Sequence, residues 1–150
     1  MGASNETAAG KYGVLVVEDN PDDEALTLRA LQKCGLPIRV TVARDGAEAV
    51  EILNSDLREI GLDTAPRLLF LDLKLPKLGG LEVLEAVRAN PKTASMPVVC
   101  LTSSDELTDT DRAYGLGANS FVRKPIDFEE YLSVVCKAAE YWLSVNFWPA

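Results

Sequence analysis

Leu68-Leu69-Phe70-Leu71-Asp72 decides the fold: four apolar residues in a row, closed by an acid. Val14-Leu15-Val16-Val17-Glu18-Asp19 repeats the arrangement near the start of the chain. A strand with one wet face alternates apolar and polar residues. A continuous apolar run marks a strand covered on both faces, as in a parallel sheet between helices. The full set of runs is Tyr12–Val17, Ile38–Ala43, Leu68–Leu71, Val98–Leu101 and Ser120–Val122, with helical patterns between them. This repeated strand-then-helix order predicts an α/β fold, a (βα)5 open parallel sheet with helices on both faces.

The helix boundaries are written in the sequence. Asn20-Pro21-Asp22-Asp23 offers an N-cap, a proline at the first helical position and acid in the first turn. Gly35 stands where a C-terminal stop belongs. Asp45-Gly46-Ala47-Glu48 has capping-box spacing, and Asp127 is placed to cap the last helix. Ser55–Pro66 is long for a connection, and Leu57 and Ile60 extend the second helical pattern into it.

The chain has 150 residues, 47% of them apolar, which suits one domain with a single core. That domain is expected over residues 11–147, after a polar leader, residues 1–10, read as disordered. With 23 acidic against 15 basic residues the net charge is −8, which opposes binding to DNA or RNA. No apolar run approaches the roughly 20 residues that cross a bilayer, and the leader lacks the apolar stretch of a signal peptide. The expected location is the cytoplasm, with no membrane or nucleic-acid partner. Cys34, Cys100 and Cys136 are too scattered for a metal site and read as buried free thiols in a reducing compartment. The chain contains no histidine, so Ser-His-Asp chemistry, histidine-ligated zinc and a histidine phosphodonor are excluded.

In an open parallel sheet, reactive groups gather at the carboxyl ends of the strands. Those ends carry Glu18 and Asp19 after the first strand, Asp72 after the third, Thr102 after the fourth and Lys124 after the fifth. Three clustered carboxylates call for a dication, and all-oxygen donors suit Mg²⁺. The strand of Asp72 lies centrally, which makes this acid the best-placed nucleophile toward phosphorus. The metal and Lys124 would neutralise charge on the transferring oxygens, and Thr102 could donate to a phosphoryl oxygen. Around Asp72, Pro76 and the pair Gly79-Gly80 shape a turn before the next helix.

Val17-Glu18-Asp19-Asn20, Leu71-Asp72-Leu73-Lys74-Leu75-Pro76, Leu101-Thr102-Ser103-Ser104 and Phe121-Val122-Arg123-Lys124-Pro125 together resemble the receiver domain of bacterial two-component response regulators. The resemblance runs from about Tyr12 to Ala139. It implies a flavodoxin-like strand order 2-1-3-4-5. It also implies that Asp72 is the phosphoacceptor, with Asp19 and Glu18 on the metal and the backbone carbonyl of Lys74 completing the protein's share of its shell. Thr102 and Phe121 would be the pair that rearranges on phosphorylation. Lys124 would contact the phosphate, and its bond to Pro125 would be cis. The implied donor is a sensor histidine kinase. More narrowly, Asn20-Pro21-Asp22-Asp23, the long segment before the third strand and Tyr141-Trp142 are similar to single-domain regulators paired with bacterial phytochrome kinases.

Three rival functions share this topology. A phosphatase with an aspartyl nucleophile would want an acid two residues after it, where Lys74 stands. A flavin or nucleotide binder would want glycines after the first strand, where Glu18-Asp19-Asn20 stands. A degenerate receiver would have lost key polar residues, and all are present. A relay intermediate keeps the same pocket and differs only in where the phosphoryl group goes next. The expectation is a regulator that catalyses only its own phosphorylation and dephosphorylation. No output domain is expected, so the signal would leave through a surface.

The last helix offers such a surface. Phe128, Leu132, Val135, Ala139 and Trp142 form one apolar stripe; Tyr131, Val134, Ala138, Tyr141 and Val145 form another beside it. A helix reaching Phe147 would be roughly 30 Å long and would overhang strands of ~17–20 Å, carrying Trp142, Phe147 and Trp148 beyond the domain. Tyr131, Val134, Ala138, Tyr141, Trp142 and Val145 are therefore the expected homodimer or partner face.

Overall fold

A computed structural model describes residues 12–103 and 107–148; the expected leader and Ser104 lie outside the described residues. The elements run β1 (Tyr12–Val17), α1 (Pro21–Lys33), β2 (Ile38–Ala43), α2 (Gly46–Leu53), a 3-10 turn (Leu57–Ile60) and β3 (Arg67–Asp72). They continue through α3 (Gly80–Ala89), β4 (Val98–Thr102), α4 (Leu107–Gly115), β5 (Ser120–Arg123) and α5 (Phe128–Glu140), ending in a π turn (Tyr141–Val145). The five strands form one parallel sheet in the order β2-β1-β3-β4-β5, as expected.

Alternate side chains of the central strands feed two cores. Leu15, Val17, Leu69, Leu71, Val98 and Cys100 meet Ala49 and Leu53 of α2 and Val83, Leu84 and Val87 of α3. Val14, Val16, Leu68, Phe70, Val99 and Leu101 meet Ala30 and Leu31 of α1 and Tyr131, Val135 and Ala139 of α5. All six residues of β3 are buried, which accounts for its lack of alternation.

Asn20, Asp45 and Asp127 cap their helices as expected, but the capping box at Asp45 is incomplete, because Glu48 Oε1 accepts from Arg44 N–H at 2.7 Å and not from Asp45 N–H. Asn20 Oδ1 accepts from the backbone N–H of Asp22 at 2.9 Å and of Asp23 at 3.0 Å. Asp45 Oδ1 accepts from Glu48 N–H at 2.7 Å, and Asp127 Oδ2 from Glu130 N–H at 3.3 Å. Leu57 and Ile60 belong to a separate 3-10 turn and not to an extended α2. Leu57 and Leu62 are buried there, so the long connection is anchored to the core.

Two expectations about side-chain placement are corrected. Only Cys100 is buried; Cys34 and Cys136 are half-buried, and the Cys34 thiol donates to Ala30 O at 3.2 Å. On the last helix, the buried residues are Tyr131, Val135, Ala139 and Leu143, a set drawn from neither expected stripe alone. Four-residue spacing drifts around an ideal α-helix of 3.6 residues per turn, and the π turn, closed by Asn146 N–H to Tyr141 O at 2.7 Å, corrects the drift and turns Leu143 inward. Tyr131 is 3% exposed and lies in the core, so it is not part of an outer face. Trp142 packs against the same core and meets the Tyr141 ring edge-on, centroids 4.9 Å apart. The overhang therefore shrinks to exposed Tyr141, Val145 and Phe147.

Candidate phosphoacceptor site

The strand ends bring Glu18, Asp19, Asp72, Thr102 and Lys124 to one edge, as the topology requires. Glu18, Asp72 and Thr102 are buried, and Asp19 is exposed at the rim. Carboxylate oxygens of Glu18, Asp19 and Asp72 lie within 4.8 Å of one another, a set of hard donors that fits a divalent cation such as Mg²⁺. Asp72 Oδ1 accepts from the backbone N–H of Lys74 at 3.0 Å, which fixes the carboxylate and brings the Lys74 peptide beside it.

Lys124 organises the interior of the pocket. Its Nζ donates to Glu18 Oε1 at 2.7 Å, Asp23 Oδ2 at 2.8 Å and Asp72 Oδ2 at 3.0 Å. Burial alone would lower its pKa, but the hydrogen bonds to Asp23 and Glu18 and the Asp72 charge outweigh this and hold it above the ordinary lysine value. Glu18 is raised as well, which for a carboxylate favours the neutral form. Burial, then its hydrogen bond with Asp72, pushes its pKa up to about 7 against the pull of Lys124. The pocket thus holds more negative charge than one lysine balances, and a dication is the natural complement.

Asp23 is the site residue that sequence reasoning missed. It reads as a first-turn acid complementing the helix dipole, yet it forms one of the three lysine contacts. The available signal was its spacing: Asp23, Thr27, Ala30 and Leu31 form the inward stripe of α1, and the last three are buried.

The expected cis bond before Pro125 is not found. The cis peptide among the described residues is Ala65–Pro66, and Lys124–Pro125 is trans. Trans is the ordinary preference of X-Pro bonds. Three carboxylates aim the ammonium, and Lys124 N–H donates to Thr102 O at 2.8 Å, so the lysine is oriented without a cis bond. The turn after Asp72 is also built differently from its reading. Lys77, φ 70°, takes the left-handed conformation. Gly80 is needed for close approach, because a Cβ there would lie 2.5 Å from Asp72 O. Phe121 is half-buried against the α2–α3 core, and its backbone N–H donates to Tyr114 Oη at 3.1 Å.

Comparison with known proteins agrees with this geometry. FilR2 of Methanothrix harundinacea, a probable methanogenesis regulatory protein, is 39% identical over 139 residues, covering 93% of this chain and 88% of its own. The phosphorylated cyanobacterial phytochrome response regulator RcpA superposes with a TM-score of 0.80 at 34% identity, over 95% of this chain and 100% of its own. The Mn(2+)-bound form of response regulator Rcp1 gives 0.78 at 31% identity, over 93% and 99%. The "Response regulator receiver domain" family matches residues 14–135, a span that holds every acid of the pocket together with Thr102 and Lys124. With the strand order, the pocket and this match in agreement, the chain belongs to the receiver family of two-component response regulators and is similar to its phytochrome-linked members.

Proposed function

We propose that the protein takes a phosphoryl group on Asp72 from a sensor histidine kinase, of the phytochrome type, in a Mg²⁺-dependent reaction. The observation that carries this reading is the convergence of Lys124 Nζ and a buried Asp72 Oδ2 at 3.0 Å beside two further acids. Asp72 supplies the attacking oxygen. Glu18, Asp19, Asp72 and the Lys74 carbonyl would hold the cation, which when bound offsets the charge of the phosphoryl group. Lys124 stabilises charge on the transferring oxygens, and Thr102 donates to one of them. Phe121, next to the lysine strand end, follows Thr102 in the change of state. The protein acts on no outside substrate.

An acyl phosphate with Mg²⁺ tests the chemistry, read by intact mass. One added phosphoryl group is expected, absent with Asp72→Asn and suppressed by a chelator; labelling of Asp72→Asn would overturn the assignment.

The same proposal gives the protein a homodimeric output through its last helix, with no nucleic-acid or membrane partner, in the cytoplasm. Support for this comes from the exposure of Tyr141, Val145 and Phe147, beside half-buried Val134, Ala138 and Trp142. The net charge of −8 opposes polyanions, and among the described residues no helix is long and apolar enough to cross a membrane. Replacing Tyr141, Val145 and Phe147 together by Ser should convert a sedimenting dimer to monomer without unfolding it. A wild-type monomer at all concentrations, phosphorylated or not, would refute the dimer.

A further inference from the structure

Lys124 has three N–H bonds, and the pocket offers each a carboxylate: Glu18 Oε1 at 2.7 Å, Asp23 Oδ2 at 2.8 Å and Asp72 Oδ2 at 3.0 Å. These acids are not equivalent. The side chains of Glu18 and Asp72 are 4% and 9% exposed, whereas Asp23, at 28%, is the most open of the three to solvent. Asp23 also lies outside the trio of oxygens suited to a cation, which comprises Glu18, Asp19 and Asp72. Its charge is directed at the ammonium and not at a metal. Its position is set by the helix: its N–H is bound by the Asn20 cap at 3.0 Å, and Thr27, one turn on, is buried against Tyr131.

We propose that Asp23 is a positioning residue for phosphoryl transfer: it holds the Lys124 ammonium toward the mouth of the pocket, where the phosphoryl group arrives. The proposal rests on the reading of Asp72 as phosphoacceptor. Without Asp23 the ammonium is left with two buried acids and relaxes toward them. A closer pairing with Asp72 stabilises the carboxylate before reaction and shields the attacking oxygen. It also withdraws positive charge from the place where negative charge builds. All three effects favour the ground state over the transition state. Loss of a charge-assisted contact of this kind corresponds to about tenfold in rate.

The test is the rate of phosphoryl incorporation from an acyl phosphate, followed by intact mass across a range of Mg²⁺ concentrations. Asp23→Ala should lower the maximal rate about tenfold, while the Mg²⁺ concentration giving half the maximal rate stays within about twofold. Asp23→Asn, which retains an oxygen acceptor, should fall between Asp23→Ala and the wild type. Asp22→Asn removes a neighbouring first-turn acid that makes no contact with Lys124, and should react at the wild-type rate. Should Asp23→Ala fail to fold, Asp23→Asn against Asp22→Asn carries the comparison. A wild-type maximal rate in Asp23→Asn and Asp23→Ala would overturn the proposal, as would a loss fully recovered by raising Mg²⁺. Failure of the parent reading shows separately, as labelling of Asp72→Asn.

Discussion

At the carboxyl edge of the sheet one ammonium faces three carboxylates, whereas at the far end of α5 the chain is held by one leucine and the rim of an aromatic pair. Both regions are small and both are closely packed. The first is ordered by charge: each contact has a defined donor and acceptor, and moving one partner leaves another unpaired. The second is ordered by shape. Leu143 fills space in the core that also holds Leu68 and Phe70, and many apolar side chains could be imagined in its place. Charge therefore gives the pocket little tolerance for substitution, while apolar packing leaves the helix end several acceptable registers until a backbone detail selects one.

The largest expected effect breaks the first region. Lys124→Met leaves Glu18, Asp23 and Asp72 facing one another around an apolar tip, and removal of one partner from a buried pair costs about 3–5 kcal/mol. Urea unfolding in a chelator should show that loss, and Mg²⁺ should return part of it. Acid should soften it as well. The folded pKa of Glu18, about 7, lies above its ordinary value of 4.5. Its protonation therefore favours the folded state fully below about 4.5, and this contribution disappears as pH rises through about 7. Metal-free protein should accordingly lose stability between these limits on going to higher pH, and Mg²⁺ should flatten the slope. A Lys124→Met variant as stable as the wild type at pH 8 without metal would show that charge is not what orders the pocket.

Leu143→Ala strikes the second region and should cost about 3 kcal/mol, as for other fully buried leucines. For a chain of this length that is a melting-temperature drop of about 6–12 °C. Its phosphorylation rate should be unchanged below the transition, because Leu143 lies in the α1–α5 core and away from the pocket. A fall of less than about 1 kcal/mol would mean that the π turn does not seat Leu143 as described.

How much of each region was legible follows from the same contrast. Glu18, Asp19, Asp72, Thr102 and Lys124 were readable because strand ends are fixed by topology, and a residue type at a strand end needs no knowledge of its neighbours. Asp23 was not, because its first-turn position already has a sufficient local explanation in the helix dipole, and its contact with Lys124 spans 101 residues of sequence. The trans Lys124–Pro125 bond was hidden for a related reason: the lysine is aimed by contacts distant in sequence, three carboxylates on its ammonium and Thr102 O on its backbone N–H. On the last helix, periodicity offered two adjoining stripes of similar apolar content. The choice depended on a π turn that no hydrophobic pattern announces and on a hydroxyl pair between Thr27 and Tyr131.

That hydroxyl pair supplies the smallest test. Tyr131 Oη and Thr27 Oγ1 lie 3.0 Å apart in a buried setting, so the ring of Tyr131 is held against α1 by a polar contact as well as by packing. Tyr131→Phe keeps the ring and removes the contact, stranding the threonine hydroxyl, and should cost about 1 kcal/mol. Thr27→Val alone should strand the tyrosine hydroxyl at similar cost, and the double variant should be less destabilised than the sum of the two, since neither partner is then left unpaired. An exposed Tyr131 on a partner face would give another pattern: Tyr131→Phe would change stability by less than about 0.5 kcal/mol, show no coupling to Thr27→Val, and alter sedimentation instead. Coupling in the stability cycle with unchanged sedimentation places Tyr131 on the inner side of α5. It leaves Tyr141, Val145 and Phe147 as the outer side, so that one buried hydroxyl fixes which face of the last helix points away from the core.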